Sequence, residues 1–107
     1  MFTRVVECTV KPGKTQEFTN TIREQIIPIL RKEHGFVDET LLVSSHNREE
    51  TLSLSFWRSQ EDAERYHSES YPRVLGILRP FLSGDPEVRG FEVQHSETHR
   101  IAAGKAA

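Results

Sequence analysis

The pattern of hydrophobic and polar residues in four short stretches of the chain predicts four β-strands. The stretches are residues 2–10, 36–46, 51–57 and 88–97. The third stretch alternates most cleanly, so its two sets of side chains are expected on opposite faces of a sheet. One set is Leu52, Leu54 and Phe56, and the other is Thr51, Ser53, Ser55 and Trp57. A short polar segment separates the second and third stretches, which indicates a hairpin.

The first predicted helix lies between the first two strands and carries one apolar stripe. The stripe consists of Phe18, Ile22, Ile26, Ile29 and Leu30. This spacing is typical of an amphipathic helix, with Thr15 as the expected N-cap and Gly35 just past its end. Pro28 falls within the stripe and has no amide hydrogen. We therefore expect the helix to kink or to change its geometry there.

The second predicted helix is divided into two parts. Ser59 is the expected N-cap of a helix over about residues 60–68, with Asp62 in the capping-box position. The inward positions of this helix are expected to be Ala63, Tyr66 and His67. Tyr71-Pro72 then breaks it and opens a shorter helix.

The predicted elements follow the order βαββαβ. This order is typical of the ferredoxin-like α+β fold, in which helices cover one face of a four-stranded antiparallel sheet. A single domain is expected over residues 1–98. Residues 99–107 are rich in alanine and glycine, and we expect them to form a flexible tail.

The other face of the predicted sheet has no helices to cover it. We expect this open face to carry Thr51, Ser53, Ser55 and Trp57 on the third strand. The second strand has apolar residues on both faces, so it requires cover on both sides. Because large exposed apolar patches are rare in monomers, a homodimer that buries the open face is expected. A monomer with a moderately apolar face is the alternative.

The composition argues against several kinds of partner. Lys and Arg number 14 against 16 Asp and Glu, and the basic residues are scattered, so no nucleic acid is expected. The single cysteine, Cys8, allows no internal disulfide, and the five histidines match no metal-binding motif. No segment resembles a signal peptide or a membrane span. We therefore expect a cytoplasmic protein that binds neither a metal nor a membrane.

With these elements in place, the sequence resembles the antibiotic biosynthesis monooxygenase family over roughly residues 2–97. The resemblance lies in His34-Gly35-Phe36 after the first helix, Ser55-Phe56-Trp57 at the end of the hairpin, and Ser59-Gln60-Glu61-Asp62-Ala63 followed by His67. It implies a homodimer whose two sheets form an α/β barrel, with a pocket between each sheet and its own helices. Some members oxygenate polycyclic phenols or quinols without a metal or flavin, so no cofactor is expected. Others degrade haem or isomerise lactones.

His67 is the candidate catalytic residue. A histidine with a near-neutral pKa beside a pocket can remove a phenolic proton, and the resulting anion reacts with dioxygen directly. A helix-end histidine bonded to a backbone carbonyl is the alternative. The candidate substrate-binding residues are Trp57, Tyr66, Tyr71, Phe18 and Ile22. Each has a structural alternative: the dimer interface for Trp57, and core packing for the other four.

These residues predict a cofactor-independent monooxygenase acting on an aromatic or quinol-like substrate. Two alternatives stay open. One is a non-catalytic ligand-binding or stress-related module of the same fold. The other is an isomerase or lyase in which His67 shuttles a proton; it needs no oxygen, so an anaerobic assay separates it from a monooxygenase.

Overall fold

The computed structural model describes residues 1–99, and these form one four-stranded sheet covered by helices on one face. The strands are β1 (Phe2–Thr9), β2 (Phe36–Val43), β3 (Glu50–Trp57) and β4 (Glu87–Glu92). Their spatial order is β2-β3-β1-β4, and all neighbouring pairs are antiparallel. This confirms the predicted ferredoxin-like α+β fold. Apart from His99, the predicted tail lies outside the described residues.

The helical elements follow the predicted order with more interruptions than expected. They are α1 (Thr15–Thr21), a π-helical segment (Ile22–Ile26), α2 (Ile27–Arg31), α3 (Gln60–Glu69), α4 (Tyr71–Leu78) and a 3-10 turn (Arg79–Phe81). Ser59 caps α3 as predicted, since its hydroxyl accepts a hydrogen bond from the Asp62 amide at 3.2 Å. Within residues 1–99, no helix has the length and apolar character needed to cross a membrane.

The first helix changes geometry immediately before Pro28, as predicted. Pro28 cannot donate a hydrogen bond to the preceding turn, and Ile22–Ile26 adopt the wider π-helical geometry there. The predicted N-cap was wrong. Lys14 occupies the cap position, and the Thr15 hydroxyl instead donates to the carbonyl oxygen of Arg48 at 2.7 Å. This bond ties the start of α1 to the loop between β2 and β3.

β2 and β4 each end several residues earlier than predicted. β2 ends at Val43 rather than His46, because the Ser44 hydroxyl accepts hydrogen bonds from the backbone amides of His46 and Asn47 and turns the chain. β4 spans residues 87–92 rather than 88–97. Its last residue pairs with Phe2, where β1 begins, so no partner strand remains for residues beyond it.

The alternation within β3 is confirmed, but the predicted assignment of its two faces was wrong. Trp57 and Ser55 lie beneath the helices, 0% and 4% exposed, and Leu52, Leu54 and Phe56 lie on the open face. The polar residues tolerate burial because their hydrogen bonds are satisfied. The Thr51 hydroxyl donates to the carbonyl oxygen of Cys8 at 3.2 Å, and Trp57 Nε1 donates to Ser55 Oγ at 2.9 Å.

Gly35 leads the chain out of the first helical region and lies against α3. The prediction that Gly35 lies directly past the helix end was wrong, because α2 ends at Arg31 and Gly35 lies in the turn before β2. Its φ is +80°, a backbone conformation that glycine adopts without strain. A Cβ atom here would overlap the carboxyl group of Asp62. Gly35→Ala is therefore expected to lower the free energy of unfolding by about 2–3 kcal/mol, from backbone strain and displacement of Asp62.

Urea denaturation measures this effect, and Gly76→Ala is its matched control. Gly76 lies inside α4, where a Cβ would meet nothing within 4 Å. Alanine there is expected to leave stability unchanged or to raise it by up to about 1 kcal/mol. Equal stabilities of the two variants would contradict the account of Gly35.

Candidate functional site

Arg4 is a buried cation on the helix-covered face of β1. Its side chain is only 5% exposed. The guanidinium carbon lies 5.0 Å from the ring centroid of Tyr66 and 4.6 Å from that of Tyr71, which places it in cation–π contact with both rings. Among residues 1–99, no carboxylate oxygen lies within 4.0 Å of its nitrogens. A buried cation without a close counter-ion can receive an anionic group.

His67 contacts Arg4 from the outer side. Arg4 Nη2 donates a hydrogen bond to His67 Nδ1 over 2.9 Å. Because a guanidinium cannot accept, Nδ1 is the unprotonated nitrogen and Nε2 carries the proton of the neutral ring. Partial desolvation and the charge of Arg4 both lower the pKa of His67. The ring also stacks on Tyr71, with centroids 5.2 Å apart.

The predicted inward direction of His67 was wrong. Its side chain is exposed, whereas Ala63 and Tyr66 of the same helix are buried as predicted. The reason lies in helix geometry, since Tyr66 occupies the inward position and the next residue is rotated about 100° from it. No sequence pattern predicted a partner for His67, and Arg4 is that partner.

Arg4 belongs to a polar row that crosses three strands. Arg4 of β1 pairs with Ser55 of β3, and Ser55 pairs with Glu39 of β2, so the three side chains share the helix-covered face. Adjacent strands lie about 4.8 Å apart, which separates the Cα atoms of Arg4 and Glu39 by roughly 10 Å. The Ser53 hydroxyl donates a hydrogen bond to Glu39 Oε1.

Glu39 is a half-buried carboxyl group whose pKa is raised towards neutrality. Burial raises its pKa to about 7, and the hydrogen bond from Ser53 and the charge of Arg4 only partly offset this effect. The polar row thus has a permanent cation at one end and a titratable acid at the other.

A cavity lies between the sheet and the helices, with a polar floor and apolar walls. The floor includes the polar row and Ser53, and the apolar walls include Phe18, Ile22, Ile26, Leu30, Val74 and Leu78. The free space is about 30 Å³. That volume accommodates water but no aromatic ring. Two wall residues, Ile22 and Ile26, belong to the π-helical segment, a geometry frequent at functional sites.

The Tyr71 hydroxyl has no hydrogen-bond partner within residues 1–99. Among residues 1–99, it is the one buried side-chain nitrogen or oxygen atom in this condition. Tyr71 is 8% exposed and lines the cavity. An unpaired buried hydroxyl costs roughly 1–3 kcal/mol, so a water molecule or a ligand oxygen is the expected partner.

Two surface depressions adjoin the cavity. The first, the outer cleft, has a volume of about 420 Å³ and is lined by Arg4, His67, Phe2, Ala63 and Val88 among others. The second, the β2 recess, has a volume of about 490 Å³ and lies beside Glu39 and Arg31. Arg4 lines both the cavity and the outer cleft, and Glu39 lines both the cavity and the β2 recess.

The structure separates the residues predicted to form one site. Phe18, Ile22, Tyr66 and Tyr71 line the cavity, whereas His67 lines the outer cleft. Trp57 is fully buried and stacks on Tyr66 with ring centroids 4.9 Å apart. Substrate binding by these residues stays a prediction. Within residues 1–99, no cluster of three or more histidine, cysteine or acidic side chains is placed to hold a metal ion.

Arg4 and Glu39 are the site residues that sequence reasoning missed. The signal for Arg4 was a charged residue among inward-facing apolar residues of β1, where Phe2, Val6 and Cys8 alternate with it. For Glu39 no comparable signal existed, because its position opposite Arg4 depends on the register of three strands.

Comparison with protein families finds one match in sequence. The model described as antibiotic biosynthesis monooxygenase matches residues 1–74 of the chain. No curated protein sequence matches.

Three solved structures illustrate the likeness in fold. A conserved protein from Methanosarcina mazei Go1 is 27% identical, with a TM-score of 0.68, and the match covers 85% of this chain and 91% of that protein. SnoaB, a cofactor-independent oxygenase from Streptomyces nogalater, is 20% identical, with a TM-score of 0.74 and coverages of 90% and 95%. A monooxygenase from the gene ActVA-Orf6 of Streptomyces coelicolor, in complex with the ligand nanaomycin D, is 17% identical, with a TM-score of 0.75 and coverages of 89% and 88%.

Proposed function

This chain belongs to the antibiotic biosynthesis monooxygenase family, and from that premise we propose that it is a cofactor-independent monooxygenase of an aromatic or quinol-like substrate. The observation that carries the proposal is Arg4, a buried cation on the floor of an otherwise largely apolar cavity. Apolar walls suit an aromatic ring, and the cation suits an oxygen that becomes negative during the reaction. The unpaired hydroxyl of Tyr71 offers that oxygen a second hydrogen bond.

The proposed chemistry begins with loss of a proton from the substrate. A neutral phenol reacts slowly with dioxygen, whereas its anion is rich in electrons and donates them to dioxygen. One oxygen atom of dioxygen forms a carbonyl group at a ring carbon. The other leaves as water with the two hydrogens that the substrate loses. Dioxygen is the oxidant and the substrate is the reductant, so the equation balances without another electron donor.

An aromatic ring requires more room than the cavity of about 30 Å³ provides. We propose that the ring approaches through the outer cleft, past Arg4, and displaces the helical wall outward. The wall consists of short segments, interrupted by the π-helical turns and by the break between α3 and α4. Such interruptions lower the cost of a small outward movement, because fewer helical hydrogen bonds must change.

Oxygen uptake with a panel of naphthols, hydroxyanthracenes and quinols tests this function. Uptake above the protein-free rate is expected to persist in the presence of a metal chelator. No uptake above the protein-free rate with any compound would contradict the proposal. Product formation under nitrogen would favour the isomerase or lyase.

His67 is proposed to act by holding Arg4 in position. Its Nδ1 lone pair accepts from Arg4, so that nitrogen removes a substrate proton only if Arg4 moves away. His67→Ala is expected to slow oxygen uptake about tenfold, which corresponds to roughly one lost hydrogen bond to a charged group.

His67→Gln distinguishes the two possible roles of His67. The glutamine side-chain oxygen can accept from Arg4 but cannot take up a proton near neutral pH. If His67 positions Arg4, the glutamine variant regains most of the activity lost in the alanine variant. If both variants are equally slow, His67 is the base that removes the substrate proton, as the sequence predicted. Unchanged uptake in the alanine variant would remove His67 from the mechanism.

The homodimer is proposed to form through the open sheet face. Its apolar residues are Val5, Leu42, Leu52, Leu54, Phe56 and Phe91. Leu42 and Phe91 are each 47% exposed, which is high for large apolar side chains. A second copy of this face would bury them.

A further inference from the structure

We propose that Glu39 is the base that takes the proton from the substrate, at the opposite end of the polar row from Arg4. The inference rests on the proposed function, because it names the group that generates the reactive anion. In that function Arg4 stabilises the negative oxygen but cannot accept a proton. A second group in the cavity must therefore do so.

The geometry of the polar row favours Glu39 for this role. Glu39 and Arg4 flank Ser55 on the same face of the sheet and both line the cavity. Their Cα atoms are separated by roughly 10 Å, and no Glu39 oxygen lies within 4.0 Å of an Arg4 nitrogen. The edge of a substrate ring can therefore lie between the two groups once the helical wall has moved outward. The hydrogen bond from Ser53 engages Glu39 Oε1 and leaves the other carboxyl oxygen for the substrate.

The surroundings of Glu39 suit a base that works near neutral pH. Arg4 on β1 favours its charged form, whereas burial and the neighbouring Asp38 favour its neutral form. The Tyr66 hydroxyl on α3 stays protonated because burial raises the pKa of Tyr66, and Arg31 lies across the β2 recess. A base whose pKa lies near the working pH both accepts and releases a proton readily.

Glu39 also has a route by which the proton can leave. Its side chain borders the cavity on one side and the β2 recess on the other. Because the recess opens to solvent, Glu39 can take a proton from the cavity and return it to water. His67 faces the outer cleft instead, on the far side of Arg4.

The proposed step is a single proton transfer. For a substrate in its keto form, a C–H bond next to the aromatic rings breaks and its proton forms an O–H bond with the Glu39 carboxylate. The electron pair of the C–H bond moves into the ring system and places negative charge on the carbonyl oxygen, which Arg4 stabilises. No oxidant or reductant takes part in this step.

Hydrogen–deuterium exchange of anthrone, a tricyclic ketone with an acidic CH2 group, measures this step without oxygen. The wild-type protein is incubated with anthrone in deuterated buffer under nitrogen, and proton NMR follows the loss of the CH2 signal. Glu39→Gln is expected to slow the protein-catalysed exchange at least about 100-fold, the usual contribution of a general base. Glu61→Gln, at an exposed carboxylate in the first turn of α3, is expected to exchange at the wild-type rate.

The exchange assay tests the role of Glu39, and the oxygen assay tests the oxygenase function. Exchange in Glu39→Gln within about threefold of the wild-type rate would overturn the role of Glu39. A second outcome separates the two proposals: the wild-type protein exchanges anthrone, Glu39→Gln does not, and no oxygen is taken up in air. That result would overturn the oxygenase function and would retain Glu39 as a base.

The pH dependence gives a test that does not depend on the folding of a variant. In the wild-type protein the exchange rate is expected to rise with pH and to level off above an apparent pKa of about 7. A rate that does not change across this pKa would overturn the role of Glu39.

Discussion

Arg4→Met is expected to reduce oxygen uptake about 100- to 1,000-fold, the usual effect of removing a group that stabilises a developing oxyanion. Methionine retains much of the apolar volume of arginine but supplies neither charge nor hydrogen bonds. The anion of the substrate would then form in a largely apolar cavity without its counter-ion. The rate of turnover with a naphthol or quinol substrate, measured by an oxygen electrode, reports this loss.

Arg4→Met is expected to change the stability of the protein much less than its activity. Arg4 is buried without a carboxylate within 4.0 Å among residues 1–99, so its charge does not gain a close ion pair in exchange for desolvation. The free energy of unfolding of Arg4→Met is therefore expected to lie within about 1 kcal/mol of the wild-type value. This combination of lost activity and retained stability is typical of a functional residue rather than a structural one.

Arg4→Lys is the matched control for charge. Lysine keeps the positive charge but lacks the planar fork that contacts His67 and both tyrosine rings. Intermediate activity is expected. Equal activity of the methionine and wild-type proteins would contradict the role of Arg4, whatever the result for lysine.

Trp57→Ala is expected to lower the free energy of unfolding by about 3–5 kcal/mol. Trp57 is fully buried, contacts the ring of Phe36 edge-on and stacks on the ring of Tyr66, at centroid distances of 5.6 and 4.9 Å. Alanine would leave a large cavity between the sheet and α3 and would remove the hydrogen bond to Ser55. A loss of this size approaches the whole stability of a small domain.

Urea denaturation followed by far-UV circular dichroism measures the stability of the Trp57 variant. Val88→Ala is a suitable control, since Val88 is an apolar residue of β4 that is 36% exposed and lies on the opposite face from the proposed dimer contact. Its truncation is expected to cost less than about 1 kcal/mol. Similar losses in the two variants would show that Trp57 does not hold α3 against the sheet.

Local sequence features predicted the order of elements because they act over a few residues. Pro28 changes the helix geometry immediately before it, and Gly35 takes a positive φ in the turn that leads to β2. Ser59 caps α3 through its own hydroxyl. None of these effects depends on which strands pair, so each could be predicted before the topology was known.

Features that depend on pairing were harder to predict. Alternation in β3 separates two sets of side chains but does not say which set the helices cover. The leucines of β3 suggested a buried face, yet the helices cover Trp57 and its polar neighbours Thr51 and Ser55, whose polarity is satisfied by hydrogen bonds. The packing of the Trp57 indole ring, and not the apolar pattern of β3, therefore decides which face of the strand is buried.

The candidate site likewise combines residues that the local sequence predicts with residues whose position depends on strand pairing. Phe18, Ile22, Tyr66 and Tyr71 could be identified as inward residues, and they do line the cavity. The charges that give the cavity its chemistry lie on different strands. Only the registers of β1 with β3 and of β3 with β2 place Arg4 and Glu39 at two ends of one row.

The most direct test of the central claim is to locate a bound ligand by NMR. A protein labelled at its isoleucine and valine methyl groups is titrated with 1-naphthol under nitrogen, and nuclear Overhauser effects from the naphthol ring are recorded. A ligand in the cavity over Arg4 is expected to give nuclear Overhauser effects to the methyl groups of Ile22, Ile26 and Val74. Effects confined to Val88, in the outer cleft, would place the ligand on the surface and contradict the account.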